Sequence, residues 1–297
     1  MFTALYIFIG LLSLFLFTAS GVFIYLRTRL REQSGYRPET YPVNRSNKRV
    51  VCIGDSITEG KKSYGYVDFL TQLKQCHNID FINAGNGKDL AWNILQRLDP
   101  IIAIQPDFIT ILIGSYDIDA TLSKKNEKRY MKSNKLPQRP SQELFEESLI
   151  GIIQRLISNT NAGIALISPP LVGDDLDEES NYWSAAYSEI IKRVANENGI
   201  SYLALNERER ELVQSLGYRS RCSYKKSRKL IRHAIVKHYL FGKSWDDISD
   251  EHGFLLSHDL FHKNSKGGKI IVHLIDRFIT RSEDIRNTPS GTISEFQ

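Results

Sequence analysis

Cysteine is scarce in this 297-residue chain, which contains only Cys52, Cys76 and Cys222. Three cysteines do not form a disulfide framework, and this agrees with a reducing compartment without establishing one. The sequence also lacks a cysteine–histidine cluster with the spacing of a zinc site and a glycine-rich loop with the spacing of a nucleotide site. We therefore expect neither a metal nor a cofactor. No internal repeat of solenoid period is apparent.

Charged residues are absent from residue 2 to residue 26, a run rich in leucine, isoleucine and phenylalanine. As a helix this run is long enough to cross a bilayer, and Tyr6 and Tyr25 stand near its ends as interfacial aromatic residues do. We predict a membrane anchor over residues 1–27. A cleaved signal peptide is the main alternative, but it requires a basic segment before the apolar run, and Thr18-Ala19-Ser20 is a weak cleavage site.

Basic residues follow the apolar run at once, at Arg27, Arg29 and Arg31. The positive-inside rule then places the soluble part of a single-pass protein in the cytoplasm, with the exported side as the alternative. Residues 28–48 are polar and contain two prolines, which is typical of a linker. The expected organisation is thus an anchor (1–27), a linker (28–48), a globular domain (49–282) and a tail (283–297).

Short apolar runs alternate with helical patterns through the globular domain. Strands are predicted at 50–53, 79–82, 108–113, 164–167 and 202–205, and helices at 66–76, 90–98, 143–158, 187–197 and 268–279. Strands separated by helices form βαβ units, which build a parallel sheet with helices on both faces. The alternation predicts a three-layer α/β/α domain with a flavodoxin-like sheet of five parallel strands.

Two basic insertions interrupt this alternation, at about 121–140 and 206–256. We expect the first to be an exposed loop, whereas the second contains an amphipathic run at 230–241. Both are interpreted first as solvated basic surface. The alternative is a surface that lies against anionic lipid headgroups. Nucleic acid is not an expected partner, because neither insertion interleaves aromatic residues with its charges or carries a known binding motif.

Ser56 is the candidate nucleophile. Only Gly54 and Asp55 separate it from the apolar strand 50–53. Open α/β sheets place their sites at the carboxyl ends of their strands, which is where Ser56 would lie. A serine before a helix lies near free backbone N–H groups, which suits a nucleophile next to an oxyanion. Ser and Asp are also ordinary helix N-caps, so this motif alone does not decide between a catalytic and a structural role.

A second candidate pair is Asp259 and His262 near the end of the domain. Their spacing of three residues predicts that both side chains share one side of a helical turn. A carboxylate there can hold the imidazole in one tautomer and stabilise the imidazolium that forms in catalysis. His252 and His258 are alternative bases, but neither has an acidic partner at that spacing.

Taken together, four short motifs resemble the sequence blocks of the SGNH hydrolases, also called GDSL-type esterases and lipases. They are Gly54-Asp55-Ser56, Asn83-Ala84-Gly85, Gly114-Ser115-Tyr116-Asp117 and Asp259-Leu260-Phe261-His262. The resemblance implies that Ser56 attacks an acyl carbonyl, that His262 is its base and that Asp259 orients His262. It also implies that the N–H groups of Ser56 and Gly85 donate to the oxyanion, and that Asp55 and Asp117 fix their own loops.

Tyr116 departs from the family pattern, because this position in the third block is an asparagine whose amide is the third oxyanion donor. The phenol could donate instead, although it is longer and would need a displaced loop. Asn86 or the N–H of Ser115 could also replace the amide. A third possibility is that activity is low or altered.

The sequence as a whole predicts a membrane-anchored serine esterase that cleaves a lipid or other acyl ester through an acyl-enzyme. The alternative is a pseudo-hydrolase that keeps the fold as a membrane-tethered binding module, with Tyr116 filling the pocket. A third hypothesis is a flavodoxin-like domain that binds a ligand without catalysis, but this hypothesis leaves the pair Asp259 and His262 unexplained. The sequence makes no prediction of the oligomeric state.

Overall fold

The computed structural model of the chain describes residues 2–29, 36–42, 46–74, 78–219 and 222–287. The strands are β1 (Lys48–Gly54), β2 (Ile79–Gly85), β3 (Phe108–Leu112), β4 (Gly163–Ile167) and β5 (Ser201–Leu203). They form one sheet in the order β2-β1-β3-β4-β5, and every neighbouring pair is parallel. This is the order of a flavodoxin-like doubly wound sheet. The predicted five-stranded parallel sheet is confirmed.

Helices cover both faces of the sheet. In the described part of the chain the helices are α1 (Phe2–Arg29), which does not pack on the sheet, α2 (Ser56–Glu59), α3 (Tyr66–Leu73), α4 (Ala91–Leu95), α5 (Asp99–Ala103), α6 (Ser115–Thr121), α7 (Lys124–Ser133), α8 (Gln142–Asn159), α9 (Glu179–Glu197), α10 (Leu205–Ser215), α11 (Ser227–Phe241), α12 (Trp245–His252) and α13 (Ser265–Asn287). Apolar residues of α4, α5, α8 and α9 form a core on one face. Residues of α3 and α13 form a second core on the other face. The three-layer architecture is therefore as predicted.

Parallel pairing brings the carboxyl ends of the central strands to one edge of the sheet. Gly54 at the end of β1 lies opposite Gly85 of β2 and Leu112 of β3. A Cβ atom on Gly54 would lie 2.1 Å from Thr58 Oγ1 and 2.5 Å from the Leu112 carbonyl oxygen. Glycine is therefore required at this position, and the loops after β1, β2 and β3 converge next to it.

The first helix, α1, is long and apolar enough over Leu11–Arg29 to cross a membrane, and none of this window is buried. It could act as a membrane span or as a signal sequence. Part of the stretch expected to be a linker packs on the domain instead. Tyr36 forms a parallel bridge with Ile82, and the buried Tyr41 hydroxyl donates to Asp80 Oδ2 over 2.9 Å. Arg31, Cys76 and residues 288–297 of the expected tail lie outside the described residues.

The first basic insertion is wrongly predicted as a loop, because residues 124–133 form the helix α7. Ser123 caps this helix by accepting from the backbone N–H of Asn126 at 3.2 Å. Tyr130 on its inner face is buried with Leu136 and Leu90, whereas its lysines remain on the outer face. The buried Tyr130, packed against Leu136 just beyond the helix, anchors a helix whose composition is otherwise that of a solvated segment.

The second basic insertion folds largely as α10, α11 and α12. The predicted amphipathic run at 230–241 lies within α11. The predicted strand at 202–205 ends at Leu203, since Leu205 already begins α10. The predicted helix at 90–98 is shorter in the structure, where it is α4, and α5 begins only after it, with Pro100 in its first turn, where a missing N–H costs nothing.

Candidate active site

Ser56 is the first residue of α2, directly after the turn that ends β1. Asp55 caps this short helix, since its Oδ1 accepts from the Ile57 N–H at 2.9 Å, which is the local role expected of it. Burial raises the pKa of Asp55 to about 7, although the Ile57 N–H opposes this shift. The turn holds Ser56 at the carboxyl edge of the sheet with only 2% of its surface exposed.

The segment that carries Asp259 and His262 is a loop, so the prediction of a helical turn is wrong. An antiparallel bridge between Ser257 and Lys263 closes the loop, and Leu260 has a left-handed backbone with φ of 82°. Asp259 organises the loop from inside. Its Oδ1 accepts from the N–H groups of Phe261 (3.0 Å) and His262 (2.8 Å). The side chains meet because the loop folds around the carboxylate.

Asp259, His262 and Ser56 lie in hydrogen-bonding sequence. His262 Nδ1 donates to Asp259 Oδ2 over 2.7 Å, which leaves Nε2 as the acceptor for the Ser56 hydroxyl at 3.0 Å. Burial alone would raise the pKa of Asp259, but the His262 and His258 imidazoles and the donated hydrogen bonds outweigh it and lower the pKa to about 2. The carboxylate is therefore ionised at neutral pH and can hold an imidazolium.

The two alternative histidines bond elsewhere. His258 Nε2 donates to the Lys62 carbonyl over 2.9 Å, and its ring stacks on Trp245 with centroids 4.3 Å apart. Burial disfavours its cation and lowers the pKa of His258 to about 4. His252 Nδ1 donates to the His258 carbonyl over 2.6 Å. The structure therefore brings His262 to Ser56 and gives His258 and His252 structural contacts.

A buried ion pair holds the histidine loop, and the sequence patterns did not indicate it. Lys263 Nζ donates to Glu209 Oε2 at 2.9 Å and to the Leu171 carbonyl at 3.1 Å, with both charged side chains essentially inaccessible. The Lys263 N–H also donates to Ser63 Oγ at 2.9 Å. Glu209 lies in the second basic insertion, 54 residues before Lys263, so no local spacing connects the two.

Tyr116 points its hydroxyl at the candidate nucleophile, with 2.9 Å between its oxygen and Ser56 Oγ. Its ring is nearly parallel to Phe261, with centroids 6.3 Å apart, and tilted against Tyr130 at 6.0 Å. Burial raises the pKa of Tyr116 well above its usual value, so the phenol stays protonated and can donate. Asn86, another proposed replacement for the family's asparagine, instead donates to Asp89 Oδ1 at 2.6 Å.

Two other block residues differ from the roles that the resemblance implied. The Gly85 N–H donates to Asn83 Oδ1 at 2.9 Å, and a Cβ on Gly85 would lie 2.2 Å from the backbone nitrogen of Glu59. Glycine is thus needed there for the contact between β2 and α2. Asp117 does not fix its own loop alone, because it accepts from the Ala91 N–H at 3.2 Å and so joins α6 to α4. Burial raises the pKa of Asp117 to about 8.

Solved structures share this architecture at low identity. Axe2, an acetylxylan esterase from Geobacillus stearothermophilus, is 18% identical with a TM-score of 0.55, covering 79% of this chain and 94% of that chain. LAE5, an alpha/beta hydrolase from the metagenome of Lake Arreo in Spain, is 16% identical with a TM-score of 0.55, covering 80% and 97%. A comparison with curated proteins gives no significant match. The domain has the fold of the SGNH hydrolases.

Residues 52–221, more than half of the chain, match the GDSL-like Lipase/Acylhydrolase family. The chain belongs to this family and is a carboxylic ester hydrolase. The family assignment expected from the four motifs is confirmed. The match covers Ser56, Gly85 and Tyr116 and ends before Asp259 and His262, whose place beside Ser56 comes from the fold.

Proposed function

We propose that the chain hydrolyses an acyl ester through a catalytic triad of Ser56, His262 and Asp259. The observation that carries this is the continuous contact from Ser56 Oγ to His262 Nε2 (3.0 Å) and from His262 Nδ1 to Asp259 Oδ2 (2.7 Å). Three Axe2 structures are described as catalytic mutants in which a serine, an aspartate or a histidine is replaced by alanine. The same three residue types meet here at the sheet edge.

The proposed reaction has two halves. Ser56 Oγ attacks the carbonyl carbon while its proton passes to His262 Nε2, and the carbonyl electrons move to the oxygen. The tetrahedral intermediate then collapses, the bond to the leaving oxygen breaks, and His262 returns the proton to that oxygen. In the second half, water gives a proton to His262 and attacks the acyl-enzyme, and the acid leaves as Ser56 regains its proton.

We propose that the Tyr116 hydroxyl replaces the family's asparagine as an oxyanion donor, together with the Ser56 N–H. The phenol lies within 2.9 Å of Ser56 Oγ, where the new carbon–oxygen bond would form, and its raised pKa keeps its proton on. Because the Gly85 N–H is already bound to Asn83, Tyr116 takes on a larger share of this task. Removing one oxyanion donor typically lowers a rate by about 10²–10³.

The same contact also favours the alternative function. A hydroxyl that sits directly on the nucleophile, held by stacking on Phe261, fits a pseudo-hydrolase that binds a ligand without cleaving it. Both functions predict a folded protein whose site binds a ligand. They differ in whether Ser56 is reactive, which an activated-serine reagent reports directly.

The experiment is labelling of the full-length protein with a fluorophosphonate probe, comparing wild type with Ser56→Ala. Ser215→Ala, at an exposed serine of α10, is the matched control. We expect wild type and Ser215→Ala to label and Ser56→Ala not to label. A folded wild-type protein that does not label would overturn the hydrolase proposal in favour of the binding module.

We also propose that α1 anchors the enzyme in a membrane with its domain on the cytoplasmic side. Its exposed apolar surface and the arginines at its end, Arg27 and Arg29, support this. N-terminal sequencing of the protein from membranes tests it. An intact start supports the anchor, whereas a start beyond the apolar run shows a cleaved signal sequence, and protease accessibility in sealed vesicles reports the side.

A further inference from the structure

A small cationic cavity adjoins the proposed catalytic residues. It has a volume of about 170 Å³, and His262, Tyr116 and Phe261 form the wall nearest to Ser56. The opposite walls contribute four cations and one carboxylate, namely Lys62, Lys88, Arg129, Arg228 and Asp119. A cavity of this size holds several water molecules, so it can accept a small polar group.

The two arginines of the cavity have partners within its wall. Arg129 is paired with Asp119 Oδ2 at 2.7 Å and lies 4.5 Å from the centre of the Tyr130 ring. Arg228 donates to Asn126 Oδ1. These contacts hold the arginines in place, and they use the one carboxylate of the wall, which the Tyr130 hydroxyl also engages at 2.6 Å.

The two lysines lack such a partner. Within the described part of the chain, neither Lys62 nor Lys88 forms an ion pair, and nearby Glu59 is paired with Lys61 at 3.2 Å. Lys62 is partly buried, and burial lowers its pKa; the charge of Glu59 opposes this shift, whereas the charge of the exposed Lys88 adds to it. Two cations that repel each other beside a nucleophile leave a site that an anion would stabilise.

We propose that the substrate is an ester with an anionic group, a carboxylate or a phosphate, which Lys62 and Lys88 bind while the ester carbonyl lies at Ser56. This inference rests on the proposed hydrolase function. The recognised chemistry is the same whether the anion belongs to a water-soluble ester or to a lipid headgroup. Charge-assisted hydrogen bonds to the lysines would place the scissile bond and discriminate against neutral esters.

The experiment compares two acetate esters that differ in one charge, 3-acetoxybenzoate and 3-acetoxybenzamide. We expect kcat/KM to be about ten-fold or more higher for the anion, since one hydrogen bond to a charged group contributes about that factor. In Lys62→Gln/Lys88→Gln the ratio of kcat/KM for the anion to kcat/KM for the neutral ester should fall to about one. Lys132→Gln, which removes an exposed cation of α7 outside the cavity, should keep the preference.

A second arm distinguishes the sources of the anion. Fatty acid release from mixed micelles of phosphatidylglycerol, compared with diacylglycerol, which has no phosphate, should be faster and depend on both lysines if the headgroup is the ligand. Preference for the soluble anion alone identifies a water-soluble ester. Equal rates on charged and neutral esters in both arms, or a preference that survives the double variant, would overturn the proposal.

Binding to Ser56→Ala separates this inference from the hydrolase proposal. Calorimetry of 3-hydroxybenzoate against 3-hydroxybenzamide needs no turnover, so it reads the cavity even if Ser56 proves unreactive. We expect about ten-fold tighter binding of the anion. Equal binding would refute the anion site whatever the result of fluorophosphonate labelling, and a retained preference without labelling would refute the hydrolase alone.

Discussion

The serine turn and the histidine loop are held in place by different means. The turn before Ser56 is held by its own helix cap and by the neighbouring strand: Asp55 Oδ1 accepts from the Ile57 N–H at 2.9 Å, and the Asn86 N–H after β2 donates to the Gly54 carbonyl at 3.0 Å. Around His262 the loop is held by buried side chains, some near in sequence and some remote. Ser249 Oγ donates to the Ser257 carbonyl at 2.6 Å, and Lys263 reaches Glu209.

Because of this difference, substitutions should affect the two halves of the site in different ways. The serine turn is part of the sheet, so a change that displaces it would disturb the whole fold. The histidine loop depends on a few buried polar groups, each costly to leave without its partner. Substitutions in this network should therefore affect the loop more than the sheet, and four predictions test that difference.

The largest expected effect separates the two neighbouring histidines. His262→Ala should lower kcat/KM for a 4-nitrophenyl ester by about 10⁴ or more, because the proposed base is removed. His258→Gln keeps a donor for the Lys62 carbonyl and should stay within about ten-fold of wild type. Circular dichroism should show both variants folded. Loss of activity in His258→Gln alone would reassign the base.

The next largest effect concerns the buried ion pair between Lys263 and Glu209, which holds the histidine loop. Lys263→Met leaves the Glu209 carboxyl buried without its cation, and we expect the free energy of unfolding in urea to fall by about 3–5 kcal/mol. Arg208→Ala instead breaks the exposed ion pair with Glu211, and it should change the free energy of unfolding by less than about 1 kcal/mol. A similarly small change in the free energy of unfolding of both variants would show that the Lys263–Glu209 ion pair does not stabilise the loop.

Tyr116 lies between the two regions, and its hydroxyl can be removed alone. Tyr116→Phe retains the ring that stacks on Phe261 and should lower kcat by about 10²–10³ with little change in thermal stability. Unchanged kcat would exclude the phenol as an oxyanion donor. Tyr116→Asn restores the residue usual in the family, so activity above that of wild type would show instead that the phenol impairs the site.

The smallest effect concerns pH and the histidine loop. His258 has a pKa of about 4 in the fold and 6.5 without perturbation, so below pH 6.5 only the unfolded chain takes up this proton. Its contribution to stability is complete above pH 6.5 and declines as the pH falls towards 4, by about 3 kcal/mol in all. Urea unfolding of His258→Gln should lack this part of the acid dependence. If stability falls with pH in His258→Gln as steeply as it does in wild type, this prediction is contradicted.

Much of the serine side could be predicted because its determinants are local. β-Branched runs such as 50–53 indicate buried strands, and Gly54 marks the turn, so the strands and the position of Ser56 at the end of the first strand follow from patterns a few residues long. The helix α7 was missed since its many charges obscure its one buried apolar residue, Tyr130, which packs with Leu136 beyond the end of the helix.

The conformation of the histidine loop could not be predicted, because a distant contact decides it. A leucine does not readily adopt φ of 82°, and a helical turn is the default for residues spaced like Asp259 and His262. Leu260 is held there by Gly173, whose N–H donates to its carbonyl at 2.8 Å and whose missing side chain makes room for it. The pairing of Lys263 with Glu209 is equally remote in sequence.

The double position of Tyr116 has an evolutionary consequence. The same residue lines the cavity and touches Ser56, so a mutation that widens the cavity at this wall also alters the surroundings of the nucleophile. On the α11 wall, Ser227 and Ile231 also line the cavity, whereas the hydrogen bonds described for Ser56 Oγ go to Tyr116 and His262. New substrate ranges in descendants of this protein should therefore arise by drift and selection on α11, while Tyr116 stays under constraint.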